Sequence, residues 1–132
     1  MDRQRISSGS PYEETIGFSR AVRAGRFVAV AGTAPVWPDG SCDPDPYAQA
    51  RRCLEIMVAA LGEAGATADQ VIRTRMFLAD AGDQEPVARA HGEVFGRVRP
   101  AATMIVVKGF LDPRWRVEIE ADAWIDRPRV RS

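Results

Sequence analysis

Between Arg116 and Ile125 the chain alternates without a break. Val117, Ile119, Ala121, Ala123 and Ile125 fall on one side of an extended strand, and Arg116, Glu118, Glu120, Asp122 and Trp124 fall on the other. A period of two over ten residues can bury only one face, so the chain must build a sheet and cover that face with apolar elements. A second run, Ile72 to Ala79, places Ile72, Thr74, Met76 and Leu78 on one side and Arg73, Arg75 and Phe77 on the other. The polar faces of the two runs therefore carry arginines, carboxylates and aromatics together. Such a face is either solvated or buried against further copies of the chain, and the mixture favours oligomer formation through the sheet. Seventeen of the eighteen cationic residues are Arg, with Lys108 the exception, which suits planar pairing with carboxylates in a desolvated contact.

Two helices supply the cover. Asp45 can cap free amides ahead of Pro46, and Tyr47, Ala50, Leu54, Met57, Val58 and Leu61 then recur at three and four until Gly62 and Gly65 supply the stop. The second helix begins near Asp83, tolerates Pro86 in its first turn, aligns Val87, Ala90, His91, Val94 and Phe95, and ends before Gly96 and Pro100. Ile16 to Ala24 and Arg26 to Ala31 read as a hairpin through Gly25, and Ala102 to Lys108 as another strand. The order β-β-α-β-α-β-β, with hairpins at both ends, predicts an α+β fold with both helices packed on one face of a mixed sheet. Residues 1–10 are expected to be a flexible N-terminal segment, 11–126 a single domain and 127–132 a tail.

Eighteen acidic residues balance the eighteen basic ones, which argues against a broad electrostatic footprint for nucleic acid or anionic lipid. No window approaches the roughly 18 apolar residues of a membrane span, and Met1 to Pro11 has neither the apolar stretch of a signal peptide nor that of an anchor. A cytoplasmic location is expected. Cys42 and Cys53 fit neither a metal-ligand spacing nor a disulfide framework, and one His does not make a metal site, so no metal or organic cofactor is expected. His91 shares the apolar stripe of its helix and reads as a packing residue.

Six segments follow one another in a fixed order: Ile16-Gly17-Phe18-Ser19-Arg20-Ala21-Val22, Val30-Ala31-Gly32-Thr33-Ala34-Pro35, Leu61-Gly62-Glu63-Ala64-Gly65-Ala66, Arg73-Thr74-Arg75-Met76-Phe77-Leu78, Arg99-Pro100-Ala101 and Val117-Glu118-Ile119-Glu120-Ala121. Together they resemble the RidA/YjgF family, some of whose members carry the labels translation inhibitor or endoribonuclease. Gln49-Ala50-Arg51 and Phe95-Gly96 add to the pattern, which runs in order over roughly residues 10–125. The resemblance implies a chorismate-mutase-like subunit, a homotrimeric barrel with the helices outside, and small-molecule sites in clefts between subunits. Family enzymes hydrolyse reactive imines and enamines of 2-oxo acids, with water as the second substrate and no cofactor.

That chemistry needs a cation for the substrate carboxylate, a group that positions or deprotonates water, and hydrogen-bond partners for the imine nitrogen. Glu118 matches the family's proposed water-positioning carboxylate and is the candidate catalytic residue. Its neighbour Glu120, about 7 Å along the strand, should raise one of the two pKa values unless arginines neutralise the pair. The family's clamping Arg, which follows Pro-Ala, is replaced here by Ala102. By analogy with interface ion pairs, losing such a clamp costs about 2–5 kcal/mol.

Phe18 stands where many members have Tyr, and Arg20 where they often have Gln. Arg20 is read either as a displaced cation in the cleft or as a partner in an ion pair. Gly32, Thr33, Thr103 and Trp37 complete the candidate binding residues, with Trp37 either capping an apolar ligand or covering the core edge. An imine or enamine hydrolase with altered substrate preference is the leading expectation. A trimer that binds a small metabolite without turnover, in a carrier or chaperone role, is the alternative, and RNA cleavage rests only on the family label.

Overall fold

The computed structural model describes residues 3–126. Its strands are β1 (Arg3–Ile6), β2 (Ala21–Ala24), β3 (Phe27–Thr33), β4 (Val71–Leu78), β5 (Ala101–Val106) and β6 (Val117–Trp124), and its helices are α1 (Pro46–Glu63) and α2 (Gln84–Phe95). They form an α+β fold, one six-stranded mixed sheet in the order β1-β2-β3-β6-β4-β5 with two helices against it. All neighbours are antiparallel except β4 and β5, which run parallel because α2 makes the crossover between them.

Helix α1 starts where its punctuation predicts. The Asp45 side chain accepts from the Ala48 amide, and Pro46 occupies the first turn. Gly62 lies inside the helix, and the stop is Gly65, whose φ of 86° is left-handed. The helix buries Ala50, Cys53, Leu54, Met57 and Leu61 against the sheet face formed by Val28, Val30, Val117, Ile119 and Ala121. Each large aliphatic side chain so buried contributes about 1.5–3 kcal/mol.

Four sequence expectations are corrected. Residues 3–6 are not a flexible lead but strand β1, paired in register from Arg3 opposite Ala24 to Ile6 opposite Ala21, with the Ile6 side chain in the core. A four-residue strand with one buried side chain leaves too short a pattern to stand out. The run from Ile16 to Ala24 is a strand only from Ala21, since Glu13–Gly17 form a single π-helical turn that leaves Ile16 exposed. In β4 a register irregularity between Val71 and Arg73 turns Val71 into the core and Ile72 to solvent.

Finally, the two C-terminal strands are not a hairpin. β6 inserts between β3 and β4, and β5 lies at the edge beyond β4. Local pattern identifies a strand but not its neighbour, and the deeply buried β6 takes the centre, where both its edges are paired. The expected C-terminal tail, residues 127–132, lies outside the described residues.

The loops after β3 and before β6 are joined by one buried amide. Gln49, 0% exposed, donates through Nε2 to the carbonyls of Asp43 (2.8 Å) and Arg114 (3.0 Å), and its Oε1 accepts from the Arg116 amide (2.7 Å). Next to it, Arg116 clamps Asp83 at the start of α2 with Nε at 2.9 Å and Nη2 at 2.8 Å. These bonds set the start of β6, and with it the position of Glu118 two residues on.

Candidate functional site

A bulge in β3 makes the site. Val30 stands opposite Ala121 and Thr33 opposite Ile119, so β3 advances three residues while β6 advances two. The extra residue turns the Thr33 side chain into the protein and brings the backbone of Gly32 against Glu118. A β-carbon on Gly32 would lie 3.3 Å from Glu118 Oε2.

Arg20 crosses the same spot from the segment before β2. Its backbone is held on both sides, the amide donating to Ile6 O (2.8 Å) and the carbonyl accepting from the Ala31 amide (3.0 Å). Its Nη1 donates to Gly32 O (3.1 Å) and to Thr33 Oγ1 (2.8 Å), and the Thr33 hydroxyl in turn donates to Ala31 O (2.8 Å). The structure thus brings together Arg20, Gly32, Thr33 and Glu118, from three segments distant in sequence. Thr33 spends both hydrogen-bonding roles on the protein, so it acts through Arg20.

The Glu118 carboxyl is half-buried, and among the described residues it accepts no hydrogen bond. Burial pushes its pKa above the ordinary value, Glu120 adds to that rise, and Arg20 opposes it. Glu120 is itself neutralised: Arg75 lies 3.2 Å from Glu120 and 3.6 Å from Asp122. The carboxylate ladder of β6 therefore has one member left unpaired by Arg75, and that member is Glu118. Arg20 has its own pKa lowered by burial, with Glu13 and Glu118 acting the other way.

Next to the segment that precedes β2 an open cleft of about 640 Å³ is lined by Arg5, Ser7, Glu13, Phe18, Ser19 and Val22, among others, but not by Arg20 or Glu118. Phe18 is thus on its wall. Glu13 is held there by the Ser7 hydroxyl (2.9 Å) and by the Ser8 amide (2.6 Å) and hydroxyl, bonds that lower its pKa. Glu13 is not among the residues that the sequence marks; its local signal is the pair Ser7-Ser8, whose hydroxyls both bond its carboxylate.

The remaining candidates lie elsewhere. Ala102 and Thr103 are exposed on edge strand β5, opposite Thr74 and Arg75, two strands from Glu118. Pairing with buried Thr74 puts Ala102 on the helix-covered face, while Thr103 shares the Arg75 and Glu120 face. Trp37 sits half-buried on the loop after β3, where Arg52 Nε donates to the neighbouring Val36 carbonyl at 2.7 Å. His91 Nε2 lies 2.8 Å from the buried Thr74 hydroxyl and its ring 4.9 Å from that of Phe95, so it is a satisfied packing residue. Among the described residues no group of three His, Cys, Asp or Glu side chains could hold a metal ion, and no helix is long and apolar enough to cross a membrane.

The fold and the ordered motifs can be set against known proteins. Residues 10–125 match the endoribonuclease L-PSP family. The chain belongs to that family, the RidA/YjgF family of the sequence resemblance. Within it, this RidA/YjgF chain is 45% identical over 122 residues to an uncharacterized protein of Streptomyces coelicolor, covering 92% of this chain and 91% of that one. It is 31% identical over 109 residues to a RutC family protein of Pyrococcus abyssi, covering 81% and 85%. A crystal structure of a YjgF/YER057c/UK114 family member from Mycobacterium tuberculosis superposes with a TM-score of 0.86 at 41% identity, covering 94% of this chain and 100% of that one. E. coli TdcF, solved with bound serine, shares the fold at a TM-score of 0.79 and 24% identity, covering 92% and 94%.

Proposed function

We propose that this RidA/YjgF protein handles a small reactive metabolite at the Glu118 site, hydrolysing an imine or enamine to a carbonyl compound and ammonia. The observation that carries the reading is the Glu118 carboxylate, half-buried, raised in pKa, without a hydrogen-bond partner among the described residues and fixed beside the Gly32 backbone. A group so placed is suited to take a proton from water as the water oxygen bonds to the imine carbon. It gives that proton to the imine nitrogen, forming a carbinolamine, and then carries the carbinolamine's hydroxyl proton to the same nitrogen as the C–N bond breaks, so imine plus water yields carbonyl plus ammonia. The bound serine of TdcF supports a small polar ligand. The exposed edge of β5 supports closure of the site by a second copy in a cytoplasmic homotrimer, which would bring Ala102 and Thr103 of one subunit toward Glu118 of the next.

Ammonia release from freshly generated imines tests the reading. Wild type is expected to accelerate release and Glu118→Gln to abolish the acceleration; equal rates with and without wild-type protein sink it. Ala102, in place of the family's clamping Arg, favours a second reading in which the same site binds without turnover. Saturable binding with no rate effect would select it. RNA cleavage finds no support in the balanced charge, and RNA left intact in nuclease-free buffer removes it.

A further inference from the structure

Arg20 holds each residue of the β3 bulge in turn. Ala31 and Gly32 fall between the register pairs Val30 with Ala121 and Thr33 with Ile119, where the ladder between β3 and β6 is irregular. The Ala31 amide donates to the Arg20 carbonyl at 3.0 Å, and Arg20 Nη1 donates to the Gly32 carbonyl and the Thr33 hydroxyl at 3.1 and 2.8 Å. The Thr33 hydroxyl donates back to Ala31 O at 2.8 Å, and the Arg20 amide ties the group to the end of β1 through Ile6 O at 2.8 Å. One residue thus fixes the stretch of backbone over which the Glu118 carboxylate lies.

Its charge is not spent on an ion pair. Arg51, Arg52, Arg75, Arg114 and Arg116 each have an acidic oxygen within 4.0 Å, whereas Arg20, among the described residues, has none. Its Nε is buried and has no hydrogen-bond partner among the described residues, so that edge of the guanidinium is closed to solvent. A cation taken out of water without a bonded counter-ion is costly, and its field reaches further than that of a solvated one. We infer that Arg20 is the positioning residue of the Glu118 site: it holds the β3 bulge in place beneath the carboxylate and supplies the fixed positive charge that favours the carboxylate's ionised form. The inference rests on reading Glu118 as the base of the site. Arg20 needs no contact with a ligand for this, since it acts through the Gly32 backbone and through its charge.

The other groups around Glu118 leave that task to Arg20. Strand β3 brings Gly32 and no titratable side chain; β4 brings Phe77 directly opposite, and Arg75, which is taken up by Glu120 and Asp122. Helix α1 brings Cys53, whose thiol burial keeps protonated. Burial and Glu120 both raise the Glu118 pKa, and Arg20 opposes them, while Glu13 acts on Arg20 itself. Removing the Arg20 charge therefore raises the Glu118 pKa further.

Titration of the Glu118 carboxyl by carbon-detected NMR, which needs no turnover, tests this beside the pH profile of ammonia release. Arg20→Gln keeps a donor but no charge. It should move the Glu118 midpoint and the acid limb of the profile to higher pH, with kcat several-fold lower at neutral pH and recovering as pH rises. Arg20→Lys should return the midpoint toward wild type while kcat stays low, because an ammonium does not reproduce the guanidinium's hold on the bulge. In the wild type, whatever the fate of the variants, the Arg20 Nε–Hε resonance should shift with the midpoint of Glu118. A Glu118 midpoint unmoved in Arg20→Gln, a midpoint moved as far in Arg20→Lys as in Arg20→Gln, or a wild-type Arg20 resonance that ignores the Glu118 titration would each overturn the inference. No ammonia release by wild type, with the Glu118 midpoint still governed by Arg20, fails the hydrolase reading alone; ammonia release whose acid limb ignores Arg20 fails this one alone.

Discussion

The Glu118 carboxylate lies over Gly32 across the β3–β6 pair, and the arrangement depends on Gly32 having no side chain: an added β-carbon would stand 3.3 Å from the carboxylate oxygen. Gly32→Ala should therefore displace Glu118 by a few tenths of an ångström rather than break the fold, because a carboxylate end can move where backbone cannot. Stability should fall by about 1 kcal/mol or less, while the activity or ligand affinity of the site falls several-fold. A thermal melt run beside an activity assay checks this; activity equal to wild type would show that the placement of Glu118 is not critical.

The pKa shifts of two half-buried groups give opposite pH dependences. Glu118 is raised above its ordinary value of 4.5, so between that pH and its folded pKa the native state holds more protons than the unfolded state. Its contribution to stability is full below pH 4.5 and is lost as pH rises through the folded value. His91 is lowered below 6.5 by burial, so its contribution is present above 6.5 and is lost as pH falls through its folded value. Urea unfolding across pH 4–8 should show less decline toward high pH in Glu118→Gln, and less loss below pH 6.5 in His91→Gln. Profiles parallel to wild type in both variants would contradict these assignments.

Removing the Gln49 amide leaves two carbonyls and one amide without their partner beneath the loops. Gln49→Leu keeps most of the volume and should cost about 2–4 kcal/mol, read as a lowered urea midpoint. A midpoint unchanged from wild type would mean that water replaces the amide at no cost.

Asp83 and Arg116 should be energetically coupled. Asp83 is 6% exposed, but the Arg116 side chain is 42% exposed, so solvent screens the pair and each Ala variant should cost about 1–2 kcal/mol. A double-mutant cycle should return a coupling of about 1 kcal/mol. Zero coupling would reduce the clamp to a contact without consequence.

Much of the scaffold was legible in the sequence. Asp45-Pro46 and Gly65 bound α1, the alternation from Val117 to Trp124 marks β6, and the order of short motifs places the chain in its family, because caps, periods and spacings are local and survive without tertiary context. The same alternation put Glu118, Glu120 and Asp122 on one face with Arg75, as the ion pairs bear out. Gly32 is a candidate binding residue from the sequence, but the use of its missing side chain is not legible there, since a close approach from β6 cannot be read from β3.

The sequence by itself determined the two helices and the longer strands, the family, and the retention of Glu118 alongside the loss of the β5 arginine. Tertiary structure alone decided that β6 lies between β3 and β4, that β1 joins the sheet, and that a one-residue bulge brings Gly32 under Glu118 while Arg20 reaches the Gly32 carbonyl and the Thr33 hydroxyl. Those outcomes are set by pairing between segments up to a hundred residues apart, whose register depends on mutual burial and hydrogen bonding rather than on the pattern of either segment.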